Sequence, residues 1–193
     1  SASVRASAGG RVTLTNSTVT ARNNPQGQGS HALHAQGMGS IIDASDTNLS
    51  LNASYSHGAY AQDGGKIVLR VGAVSTGGGN ASALHANGPG STIEAGRLTI
   101  ATSGDLASGV VAGLGGAITL TNAQIKTTGD MAHGLQTQGR DGFISVRDTD
   151  VSAADGAGAY LEGGRLEMHG GTLTSAMPAV RLRSTYQGQA ATA

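Results

Sequence analysis

Residues 93–113 read IEAGRLTIATSGDLASGVVAG, and residues 118–138 read ITLTNAQIKTTGDMAHGLQTQ. The two stretches align without a gap when Ile118 is set on Ile93. Ile100 then falls on Ile125, Gly104-Asp105 on Gly129-Asp130, and Gly109 on Gly134. Each copy holds three short apolar alternations separated by Gly, Asn, Asp or Ser. Alternation with period two is the mark of a strand with one face buried. A helical repeat of this length would need amphipathic runs of ~10–15 residues, which these glycines would break.

The unit recurs along the whole chain. Glycine-containing pairs at Gly9-Gly10, Gly39-Ser40, Gly64-Gly65, Gly90-Ser91, Gly115-Gly116, Asp141-Gly142 and Gly163-Gly164 lie 22 to 30 residues apart. Each leads into a first strand such as Val12-Thr13-Leu14, Ile67-Val68-Leu69 or Ile118-Thr119-Leu120. A turn position follows, holding Asn16, Asp46, Asn122, Asp148 or Gly170, residue types that tolerate left-handed backbone angles. Val19, Leu49, Val74, Ile100, Ile125, Val151 and Leu173 then mark a second strand. After a polar loop comes a third, as in His31-Ala32-Leu33-His34-Ala35 or Ser82-Ala83-Leu84-His85-Ala86.

Three strands and three turns in about 25 residues describe one coil of an all-β, single-stranded parallel β-helix, a repeat architecture in which no coil buries its apolar side alone. Seven coils are expected, starting near residues 11, 41, 66, 92, 117, 143 and 165. At ~4.8 Å per coil they would stack to roughly 34 Å. Residues 1–193 are read as one segment of a longer array. Ser3-Val4-Arg5-Ala6 already fits the third-strand pattern, and no cap is evident at either end. Residues 183–193 are expected to be the start of another coil or a disordered tail.

Composition excludes other classes. Glycine numbers 32 but follows no three-residue period, and there are only three prolines, so the chain is no collagen. Hydrophobic residues make up 38% and charged residues 12%, which argues against plain disorder. Net charge is zero, so no electrostatic attraction to nucleic acid is expected. There is no Cys, hence no disulfide or thiol chemistry, and no apolar run long enough for a transmembrane helix.

Two elements carry a family resemblance. One is a small residue, an aliphatic, a variable residue, an aliphatic, a variable residue and Gly, as in Ala32-Leu33-His34-Ala35-Gln36-Gly37. The other is the Gly-Gly lead into an alternating strand, then an Asn/Asp turn and a second aliphatic, as in residues 10–19. Together, over about residues 3–182, they resemble the passenger domains of pertactin-like autotransporters of Gram-negative bacteria. The resemblance implies a right-handed helix and export through the periplasm and an outer-membrane β-barrel belonging to the parent chain. It also implies a place on the bacterial cell surface or among secreted proteins, and a virulence role in adhesion or immune evasion.

Candidate partner contacts fall in two places. The variable third-strand position holds Arg5, His34, Tyr60, His85, Val111, Gln136, Tyr160 and Arg181. Alternation points it away from the core, and aromatic and Arg side chains there suit a binding patch. The longest insert, residues 23–30, adds Asn23, Asn24, Gln26 and Gln28. The expected partner is a host protein or cell-surface receptor, or a second copy of the chain. A neighbouring stripe of His31, His57, Ser82, Ser108, His133 and Ala157 lacks the third ligand that zinc requires, so no metal and no cofactor are assigned. Asp105 and Asp130 align on adjacent coils, as a polysaccharide lyase or hydrolase would need, but both sit in Gly-Asp turns where Asp is common for backbone reasons. The chain is therefore read as non-catalytic. Adhesion leads over self-association, a structural spacer, capture of complement regulators, and the polysaccharide enzyme.

Overall fold

The computed structural model describes residues 2–22 and 30–183. Among them there are strands and turns and no helix. About seven turns of roughly 25 residues form a parallel β-solenoid. In chain order the strands are Ala2–Ser7, Arg11–Thr15, Thr18–Ala21, His31–Gln36, Ile41–Leu51, Ala59–Gln62, Lys66–Thr76, Leu84–Asn87, Thr92–Thr102, Val110–Gly113, Ala117–Thr121, Gln124–Thr127, Leu135–Gln138, Phe143–Ala153, Ala159–Glu162, Arg165–Ser175 and Val180–Arg183. They form two parallel sheets. A short-strand sheet of eight holds the third strand of each coil, and a long-strand sheet of nine holds the first and second strands.

The corner between first and second strands differs from the sequence expectation. In five coils the two strands are one bent strand of 11 residues; they separate only at 11–21 and 117–127. At Asn16, Asp46, Arg97, Asn122 and Asp148 the bend is a single left-handed residue; after Val71 and Gly170 the next residue, Gly72 or Gly171, also has positive φ. Asn16, Asp46, Val71, Arg97, Asn122, Asp148 and Gly170 have φ between 46° and 74°, and the strand register places them in one column. One residue in this conformation turns the chain while its own N–H stays on the ladder: Asn16 donates to the Ser45 carbonyl at 3.0 Å and Asn122 to that of Arg147 at 2.9 Å. Where the next residue is Ser17, Thr47 or Thr149, its hydroxyl donates to the carbonyl two residues back at 2.9 Å and clamps the bend. Val71 and Arg97 occupy the column without the turn chemistry that marks it elsewhere.

Register dictates the core. Ile42, Ile67, Ile93, Ile118 and Ile144 stack as one buried column, and Leu33, Ala59, Leu84, Val110, Leu135 and Ala159 as a buried column of the short-strand sheet. The same stacking dictates a glycine column. A Cβ on Gly104 would fall on the Gly78 carbonyl, and one on Gly129 would fall on the Gly104 carbonyl.

Two stability outcomes follow from the register. Val71→Asn should raise stability by about 1 kcal/mol, because a β-branched residue is poorly suited to positive φ and this one is 37% exposed. Gly104→Ala should lower it by roughly 1–3 kcal/mol through forced separation of two coils. Urea denaturation followed by circular dichroism measures both.

Candidate functional site

The outer side of the short-strand sheet brings the expected stripe together in register. Arg5 pairs with His34, His34 with Tyr60, Tyr60 with His85, His85 with Val111, Val111 with Gln136, Gln136 with Tyr160, and Tyr160 with Arg181. The side chains point outward but do not form a uniformly solvated row. Val111 is 3% exposed and Tyr160 8%, because their neighbours close over them. Asn23, Asn24, Gln26 and Gln28 lie outside the described residues.

The stripe joins the neighbouring column at a cluster of five rings. His31 stacks on His57 (5.2 Å between centroids, planes within 6°), and His34 stacks on Tyr60 at 5.1 Å. Tyr60 also meets His31 at 4.7 Å and His85 at 5.2 Å. His57 and His85 stand edge to face at 4.4 Å, with Nε2 of the former 3.1 Å from Nδ1 of the latter. Only one proton fits between those two nitrogens. A second ring group follows higher in the stack: His133 lies on Tyr160 at 4.5 Å, and the Arg181 guanidinium sits 5.7 Å from the centre of that ring.

The His31 column, to which the sequence assigns no metal, has a task in holding the coils together. His31 Nδ1 accepts the N–H of His57, one coil on, at 2.9 Å. His133 Nδ1 accepts that of Ala157 at 3.0 Å, and Ser108 Oγ accepts that of His133 at 3.3 Å. Side-chain acceptors thus satisfy backbone donors between coils, just before the third strands begin. Asp105 does the same, its Oδ1 accepting the Asp130 N–H at 3.1 Å. The carboxylate considered as half of a catalytic pair is occupied in holding the next coil. Among the described residues, no three His, Asp or Glu side chains converge as metal ligands.

These contacts require neutral rings. Burial pushes His31 and His85 down to about 4, and the charge of His34 adds to the effect on His31. Burial likewise lowers His57 well below its usual value, with the His85 and His31 charges contributing, and lowers His34, with Arg5 contributing. Burial raises the Tyr60 hydroxyl, which keeps it a neutral donor. The arrangement is a rigid surface of flat, uncharged rings. It offers stacking area and imidazole nitrogens.

Family models, curated proteins and solved structures yield no match to this chain. The fold defines its class, a parallel β-solenoid, and the site must be judged on its own geometry.

Acid should weaken the ring face. The folded-state values lie below the ordinary histidine value of 6.5, so the unfolded chain binds more protons between them. Stability is then fully present above pH 6.5 and is lost as pH falls toward about 4. The loss for a ring as enclosed as His85 is on the order of 3 kcal/mol. Urea midpoints measured from pH 7.5 to pH 4 should fall in the wild type. The curve should flatten in the His57→Gln/His85→Gln double variant.

Proposed function

We propose that this chain is a stretch of a pertactin-like autotransporter passenger, displayed on or released from a Gram-negative cell, that acts by binding and not by catalysis. Its role in this reading is adhesion, or attachment of a host factor. The observation that supports it is the ring cluster of His31, His34, His57, Tyr60 and His85 on the outer side of the short-strand sheet. A solvated repeat face has no need of five rings on adjacent coils. Rigid aromatic surface with little side-chain entropy left to lose is what binding patches use. The coil stack would hold that patch in place and project it from the cell.

Self-association is the second reading, favoured by a different surface. The outer side of the second strands carries a polar ladder in register, with Thr99 beside Gln124, Gln124 beside Asp150, and Asp150 beside Thr172, whose hydroxyl donates to the Asp150 carboxylate at 2.7 Å. A flat array of this kind suits side-by-side pairing of two copies.

Binding of the fluorescently labelled chain to cultured epithelial cells, with sedimentation velocity in parallel, separates the readings. Adhesion predicts that His34→Ala/Tyr60→Ala/His85→Ala reduces cell binding about tenfold or more while the far-ultraviolet spectrum is kept. Cell binding unchanged in that variant would reject the ring face as the contact. A concentration-dependent dimer abolished by Gln124→Ala/Asp150→Ala/Thr172→Ala would favour self-association.

A further inference from the structure

Three large apolar side chains stand where the backbone least favours them. Tyr55, Leu106 and Met131 have φ of 56°, 57° and 49°. They share one column in the turn before the third strands. Tyr55 N–H donates to the carbonyl of Gly79, Asn80 to that of Asp105, and Leu106 to that of Asp130, the one-back pattern by which Ala59 pairs with Leu84. Asn80, with φ of 56°, shows the residue type that suits this position. The other three are exposed, at 74%, 47% and 55%, so core packing does not account for them either.

Beside this column lie two hollows that share Leu106 as a wall. One, of about 310 Å³, has mostly polar walls, with Asn80, Ser82, His57, His85, Gln136 and Gln138 around Tyr55 and Leu106. The other, of about 410 Å³, is lined by Leu106, Met131, Met177, His133, Tyr160 and Arg181, with Asp155 and Glu162 also at its walls. Arg183 holds Glu162 at 3.4 Å, whereas Arg181 has no carboxylate partner among the described residues. The hollows are centred roughly two coils, ~10 Å, apart.

We propose that the paired hollows are a docking groove for a polypeptide segment of a partner protein. The segment seats an apolar side chain in the larger hollow and a hydrogen-bonding one in the other, sets a carboxylate against Arg181 and offers a backbone N–H to Asp155. The thioether and aliphatic walls of the larger hollow, Leu106, Met131 and Met177, adapt to an apolar side chain. An arginine with no carboxylate partner among the described residues, beside the Asp155 carboxylate, matches a peptide, which carries both complements. This names a partner class and a second contact for the binding role proposed above, and it rests on that reading.

The test is selection of phage-displayed random peptides of about twelve residues on the immobilised chain, followed by fluorescence anisotropy with synthetic copies. The variants are Leu106→Asn/Met131→Asn, Arg181→Gln and His34→Ala/Tyr60→Ala. Selected peptides should carry an apolar residue, a hydrogen-bonding residue and an Asp or Glu. They should bind the Asn double variant about tenfold more weakly and Arg181→Gln several-fold more weakly. That double variant should melt no lower than wild type, since Asn suits the turn, so its loss of binding cannot be laid to unfolding. Peptides that bind it as well as wild type overturn the groove. So does binding of a glycan array alone, or a wild-type dimer that the same substitutions dissociate. Peptides indifferent to the Asn substitutions but lost on His34→Ala/Tyr60→Ala overturn the groove and leave the ring face standing. A chain that binds neither peptides, glycans nor cells overturns both.

Discussion

Every feature of this solenoid depends on coil-to-coil register. Each residue sits on its equivalent one turn earlier, and the parallel backbone ladder leaves no freedom to shift. That constraint makes the composition intelligible. Inner columns must be filled by aliphatic residues of compatible size, hence the run of Ile42, Ile67, Ile93, Ile118 and Ile144. Where backbones from adjacent coils meet, no Cβ fits, hence Gly78, Gly104 and Gly129 above one another. Much of the glycine is a packing residue here, not a sign of looseness.

Register also repeats chemistry on the outside. A side chain that accepts a hydrogen bond from the coil above can serve as an intercoil clamp. His31, Asn48, Asp105, Ser108 and His133 all do so, Asn48 Oδ1 taking the Ala73 N–H at 3.0 Å. Using histidine this way has a consequence that Asn and Ser do not share. A protonated Nδ1 cannot accept, so the clamp releases in acid. The ring face and the coil stack are therefore coupled through the same nitrogens.

Most of the fold was legible in the sequence because period-two alternation and turn residues recur at nearly constant spacing. The stripe from Arg5 through His34, Tyr60 and His85 to Arg181 was legible for the same reason, since alternation alone decides which side a residue takes. What escaped was anything not written in residue type. Val71 and Arg97 turn the chain by position in the stack and not by propensity, so no sequence signal marked them. The joining of His31 and His57 to the third-strand stripe was hidden too. Residues three apart in the chain were assigned to separate stripes, but their rings are long enough to meet across the intervening backbone, as His31 and His34 do at 5.3 Å.

A repeat fold supplies its own control for what each position requires. In the turn before the third strands, Asn80 meets the backbone's demand for positive φ. Tyr55, Leu106 and Met131 meet the same demand at greater steric cost and place apolar surface in water. Neither folding nor solubility favours that choice. Such departures from the local rule concentrate where something outside the fold selects the side chain. The regular columns of this protein describe how it stands. The irregular ones beside the rings of the short-strand sheet line the docking groove proposed above.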